Sequence, residues 1–170
     1  MNERLNLSSG ETEVFFGING LGNGLGSRED KWSCWCQVDL YIKNRFFFFD
    51  RTNDEMLTLG EVEYLRNAFD DLLNDRITKK SNVSFIEPDL EFALSPKFDV
   101  RESENHIWVR EGMEIIDISA DLIIHLSDMK DGYNGQTFSL PLDRVEIGNL
   151  KSYLDNASTK LHFQWDNYSD

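Results

Sequence analysis

Basic residues are scarce in this chain: 17 Lys and Arg stand against 31 Asp and Glu over 170 residues, a formal net charge of −14. A nucleic-acid binder gains affinity by neutralising phosphates, and a protein held on an anionic membrane does the same with headgroups, so a chain this acidic is expected to do neither. Long apolar runs are missing too, none approaching the ~20 residues that cross a bilayer. The first residues, MNERLNLSSGETEV, lack the basic-then-apolar order of a secretory signal. The chain is therefore expected in the cytoplasm. Only two cysteines occur, Cys34 and Cys36. Their spacing puts them on one side of a strand, too far apart for a relaxed disulfide, and two thiols alone do not complete a structural zinc site. Asn-x-Ser sequons at Asn6, Asn82, Asn156 and Asn167 matter only in a secreted protein.

The frames of catalysis are absent as well. The glycines of GINGLGNGLG (Gly17 to Gly26) fit neither a dinucleotide fingerprint nor a phosphate loop, and they read as strand ends and a mobile hairpin-type turn over residues 19–31. The three histidines, His106, His125 and His162, stand in no recognisable triad or metal spacing. DMKDGYNG lacks the ligand spacing and the closing Glu of a calcium loop, so it reads as a polar turn. No cofactor, no metal and no enzymatic activity are expected.

What is present is periodicity. In WSCWCQVDLYIK, Trp32, Cys34, Cys36, Val38, Leu40 and Ile42 alternate with Trp35, Gln37, Asp39 and Tyr41, which predicts a strand. The run Phe46 to Phe49 predicts a partner strand with rings mainly in the core, Phe47 or Phe49 being the candidates for a binding stripe. TLGEVEYLRNAFDDLLNDR predicts a helix, because Thr58 and Glu61 have capping-box spacing and Leu59, Val62, Leu65, Phe69, Leu72 and Leu73 share an arc. Its other face, with Glu63, Asp70, Asp71, Asn74 and Asp75, reads as solvated. Strands follow in VSFIEP, DLEFAL and HIWVRE. A long half-exposed strand is then expected in EIIDISADLIIHL, with Ile116, Ile118, Ala120, Leu122, Ile124 and Leu126 inward. TFSLPL alternates again, DRVEIGNLKSYLDNA has helical spacing with Asp143 as N-cap, and LHFQW is expected to be an edge strand or a packed tail. Segregated runs in the order strands, helix, strands, helix argue an α+β fold of antiparallel sheet with two helices. The length fits one domain over 1–170, with residues 1–31 as a glycine-rich N-terminal part.

The charge is uneven. Residues 87–131 carry 12 acids and 4 bases, so more than half of the net charge falls in about a quarter of the chain, and the middle sheet is expected to be negative on its outer face.

The Trp-led strand WSCWCQVDLYI, the capped helix LTLGEVEYLRNAFDDLL, the segment SFIEPDLEFALSP and the ending TFSLPLDRVEIGNLKSYL together resemble the small bacterial proteins grouped with the immunity protein of the wall-associated toxin WapI. The likeness runs from about residue 32 to 156, leaving the glycine-rich N-terminus as an addition, and DRVEIGNL stands where many members show Asp-Gln. The resemblance implies inhibition by binding. An acidic protein can fill the basic groove of a toxin domain as a phosphate mimic, with Asp117, Asp121 and Glu91 supplying charge and Trp35, Tyr41 and Trp108 supplying rings. Two other readings stay open. One is a structural or self-associating module using Phe46 to Phe49, with a homo-oligomer as its product. The other is a small-ligand enzyme built on His125.

Overall fold

The computed structural model describes residues 4–22, 30–46, 48–102, 108–128 and 132–167, so His106 and Phe47 lie outside the described residues. Its elements are β1 (Leu5–Ser9), β2 (Thr12–Leu21), β3 (Trp35–Lys43), β4 (Phe48–Thr58), α1 (Leu59–Leu73), β5 (Ser81–Ser84) and β6 (Leu90–Ser95). They continue with β7 (Phe98–Asp99), a single 3-10 turn (Val100–Glu102), β8 (Ile115–Ile116), β9 (Ser119–Asp128), β10 (Gly132–Leu142) and α2 (Arg144–Asn167). The fold is α+β in the expected order. One antiparallel sheet runs β1-β2-β3-β4 and a second runs β10-β9-β6-β5, while β7 and β8 make a ribbon of their own.

Alternation set the sheets as it should. Cys36, Val38, Leu40 and Ile42 of β3 are buried, as are Leu90, Phe92 and Leu94 of β6 and Ala120, Leu122 and Ile124 of β9. These residues join the apolar stripes of both helices in a single core cluster. Phe69 of α1 meets Phe92 edge-on at 5.2 Å, and Tyr153 of α2 meets Phe16 of β2 at 6.1 Å. The N-terminal part is not an appendage, because Leu7, Val14 and Phe16 lie in that same cluster. Its hairpin turns at Gly10, whose φ of 61° suits glycine. The predicted turn at Asn19-Gly20 is instead strand, irregular where the register shifts between Ile18 and Gly20. Residues 23–29 lie outside the described residues.

The start of α1 satisfies every donor that a helix leaves over. Thr58 Oγ1 accepts from the Glu61 N–H, and the Glu61 carboxylate accepts from the Thr58 N–H at 2.8 Å, closing the expected capping box. The Leu59 and Gly60 amides donate to the carbonyls of Cys34 and Lys31. That approach brings the Trp32 ring so close to Gly60 that a Cβ there would lie 2.6 Å from it. Trp32 is therefore a cover on the helix start, 48 % exposed, rather than an inward strand residue.

The acidic side of α1 departs from the solvated reading. α2 runs antiparallel beside it: Glu63 meets His162 at 2.5 Å, Asp70 meets Lys151 at 3.7 Å, and Asp75, just past α1, meets Arg144 at 3.5 Å. Arg144, Lys151 and His162 are spaced by 7 and 11 residues, which returns a helix to the same face each time. Lys31 also donates to Glu63. Burial would raise the Glu63 carboxyl, but the Lys31 and His162 donors outweigh it and hold it below its ordinary value. α2 itself opens on the expected cap, with Asp143 Oδ1 accepting from the Val145 and Glu146 amides at 2.8 and 2.9 Å. It then runs on through LHFQW, where an edge strand or tail was expected, because Leu154, Ala157, Leu161 and Trp165 continue the helical stripe into the core.

Three further expectations are corrected. The predicted long strand breaks at Asp117, whose carboxylate accepts from the Ile118 N–H at 2.8 Å and turns the chain. Ile116 thus leaves the core face, and β8 pairs Phe98 with Ile116 and Asp99 with Ile115. Of HIWVRE, the described residues 108–110 form no strand, and a turn bond runs from the Met113 N–H to the Arg110 carbonyl. Phe46 and Phe48 flank the β3–β4 turn at 86 % and 64 % exposed, so those rings are not core, whereas Phe49 packs against it.

Candidate partner-binding surfaces

The residues singled out in the sequence fall in three places. The first is the outer face of the second sheet. Leu90, Phe92 and Leu94 face the core, so Glu91 and Ala93 face away, and on β9 Asp121, Ile123 and His125 do the same. Glu91 opposes Ile123 and Ala93 opposes Asp121, which makes Glu91 and Asp121 diagonal neighbours. Glu91 accepts from the Asn82 side chain at 2.6 Å and lies 3.9 Å from His125 Nε2. Asp121 makes no ion pair among the described residues. The face is less acidic than expected, because most acids of residues 87–131 sit in the connections. Asp89 is tied to Arg51 of β4 at 2.9 Å, a half-buried link between the sheets.

The second place is the outer face of the first sheet. Trp35 and Tyr41 point there, six residues and so roughly 20 Å apart along β3, both half-buried. The Tyr41 hydroxyl is hydrogen-bonded to Thr52 at 3.0 Å, and the Arg4 guanidinium lies 5.1 Å above its ring. Between them Asp39 is 3 % exposed and accepts from Arg4 and from the Asn53 N–H at 2.9 and 2.8 Å. Burial would raise the Asp39 carboxyl, yet these donors and Asn19 hold it below its ordinary value.

The third place is the excursion between β6 and β9. Asp117 sits at its foot, bound to Arg144 at 2.8 Å, which holds the Asp117 carboxyl down to about 2 with help from the Ile118 N–H. Arg144 in turn reaches the Leu73 carbonyl at 3.2 Å. Asp117 therefore ties the excursion to both helices, and its charge is already matched. Trp108 is the opposite case, 87 % exposed. The same connection carries Phe98, Met113, Ile115 and Ile116, all exposed and all missed in the sequence. The adjacent pair Ile115-Ile116 was the available signal, since neighbours on a strand cannot both face one core.

Catalytic features are few among the described residues. No group of three or more His, Cys, Asp and Glu side chains could hold a metal ion. Burial pushes the Cys36 thiol well above its ordinary range, with the neighbouring Cys34 and Glu61 adding to it, so it is a poor nucleophile. A recess of about 570 Å³ between β2 and α2 is lined by Ile18, Tyr153, Ala157, Lys160 and Phe163 among others, with no acid, His or Cys. No described helix is long and apolar enough to cross a membrane.

Fold and surface together define an α+β protein of two antiparallel sheets and two helices, with exposed apolar and acidic side chains gathered on one long connection. Residues 5–162 match the immunity protein WapI-like family, and the chain belongs to that family. The match starts at Leu5, so β1 and β2 are part of the family pattern rather than an addition to it. Comparison with curated proteins gave no match.

Proposed function

We propose that this protein is an immunity protein that neutralises a basic toxin domain by binding it in the cytoplasm, without catalysis. The observation that carries the proposal is the family match over residues 5–162. The net charge of −14 supports a basic partner, because a field of that sign speeds encounter with a cationic groove and disfavours anionic ones. The contacts are drawn from exposed acids and rings. Of those named from the sequence, Trp108 keeps its ring open to solvent, Glu91, Asp121, Trp35 and Tyr41 are half-buried, and Asp117 is matched by Arg144.

The test reads the genes beside this one for a large toxin and co-expresses its C-terminal domain with this protein; the absence of any such gene counts against the proposal. Restored growth of cells that the toxin domain alone kills supports the proposal. Unrelieved killing, with the protein present in soluble form, overturns it.

A further inference from the structure

The connection from β6 to β9 is longer than the sheet requires. The two strands are antiparallel neighbours whose paired residues end at Ser95 and Ser119, and a few residues suffice to join such ends, yet residues 96–118 intervene. Hairpin connections usually take about 2–5 residues, whereas this one carries a ribbon and a 3-10 turn of its own. This one holds five of the twelve large exposed apolar side chains among the described residues: Phe98, Trp108, Met113, Ile115 and Ile116. Packing within the fold does not account for them. Among the described residues, Val100 is the connection's deeply buried apolar residue before Ile118, and it lies outside the main core cluster. A ribbon of two residue pairs is marginal by itself. It is held here by the Val100 N–H donating to the Glu114 carbonyl at 2.8 Å and by the Asp117–Arg144 pair at its foot. Exposed apolar side chains concentrated in one anchored connection, with Phe98 and Ile116 paired on one face of the ribbon, mark a contact surface.

The charge around the ribbon selects the partner. Residues 97–117 contain six acids and three bases. Arg101 is committed to Asp99, whose carboxyl it holds at about 2, while Glu102 and Glu111 are exposed and make no ion pair among the described residues. An apolar centre with unmatched acids beside it fits a basic surface around an apolar pocket.

We propose that the β7–β8 ribbon with Trp108 is the surface by which this protein grips its partner, and that the partner is a basic protein domain with an apolar pocket that receives Trp108. This rests on the immunity role proposed above, which makes the toxin domain the partner. The ribbon supplies the apolar anchor, and Glu102 and Glu111 supply the charge that meets its rim.

The test measures binding of the toxin domain identified by the neighbouring-gene search above, in inactivated form, to wild type and to Trp108→Ala, Met113→Ser and the sheet variant Glu91→Gln/Asp121→Asn. Trp108 and Met113 are 87 % and 64 % exposed, so both variants are expected to melt as wild type does. The inference expects Trp108→Ala to weaken binding about thirtyfold or more and Met113→Ser about tenfold, the scale of residues central to an interface, with the sheet variant within about threefold of wild type. If the ribbon variants bind normally while the sheet variant fails, the ribbon assignment is overturned and the immunity role stands. If wild type itself neither binds nor protects, both fall together. Light scattering covers the remaining occupant: a wild-type dimer that Trp108→Ala converts to monomer would assign the ribbon to a second copy of the chain and overturn the inference.

Discussion

Replacing Glu61 by alanine probes how α1 is joined to the rest of the fold. The carboxylate is 2 % exposed and accepts from the Thr58 N–H at 2.8 Å, the Thr58 hydroxyl at 3.0 Å and the Ile86 N–H at 2.5 Å. Its loss opens the capping box. It also leaves the Thr58 and Ile86 amides without acceptors, each worth about 1–3 kcal/mol when buried. Ile86 belongs at the low end of that range, because its residue is largely exposed and water can reach it. The alanine variant should therefore lose about 3 kcal/mol, a large share of the ~5–15 kcal/mol of an ordinary domain. Glutamine keeps the shape but turns one acceptor oxygen into a donor, so either the Thr58 side or the Ile86 amide faces an N–H, at about 1–2 kcal/mol. Urea unfolding followed by tryptophan fluorescence should rank wild type above Glu61→Gln above Glu61→Ala, with the alanine variant melting roughly 10 °C lower. An alanine variant within about 0.5 kcal/mol of wild type would refute the reasoning, since that is the range of an indifferent surface substitution.

Three other outcomes follow from the same structure. The Asp117 carboxyl is depressed from 3.8 to about 2 by Arg144, so it adds stability that is present above its unfolded value and lost as pH falls through about 2. With both side chains more than a third exposed, screening limits the pair to about 0.5 kcal/mol; the stability gap between wild type and Asp117→Asn should be of that size at neutral pH and close between pH 4 and 2, and a gap that widens in acid would contradict the assignment. Tyr153→Phe removes the acceptor of the Ile18 N–H, a 2.6 Å bond, and should cost about 1–2 kcal/mol in thermal unfolding; an unchanged melt would mean that water replaces the hydroxyl without loss. Phe46→Ser with Phe48→Thr should shift stability by less than about 0.5 kcal/mol because both rings are solvated, and light scattering should give the wild-type mass; a fall in mass would restore the self-association reading.

The elements legible in the sequence were those whose stabilising partners are local. The capping box of Thr58 and Glu61, the Asp143 cap and the alternation of β3, β6 and β9 depend on residues a few positions apart; both caps formed where the spacing placed them, and the alternation holds within Trp35–Lys43, Leu90–Ser95 and Ser119–Asp128. What sequence could not show was decided by distant partners. The acids of α1 look like a solvated face until Lys151 and His162, some 80 and 100 residues later, are laid against them. Asp117 looks like one more outward acid on a long strand until Arg144 claims it and the chain turns. Phe46 and Phe48 look like core by composition alone, and only the position of the β3–β4 turn leaves them outside. Of the surface residues, Glu91 and Asp121 alternate with core residues as a period of two requires, but only the pairing of β6 with β9 brings them onto one face. The exposed ribbon was hidden in segments that read as ordinary strands.

Binding and neutralisation of a basic toxin domain is the role proposed for this acidic protein. The decisive titration runs the purified protein into the inactivated toxin domain identified beside its gene, at about 0.05 M and about 0.5 M salt, where the screening length falls from roughly 14 Å to roughly 4 Å. The account predicts a defined complex at low salt whose association slows and whose affinity falls at least about tenfold at high salt. A complex of equal affinity at both salt concentrations would contradict the electrostatic part, and no complex at low salt would contradict the claim itself.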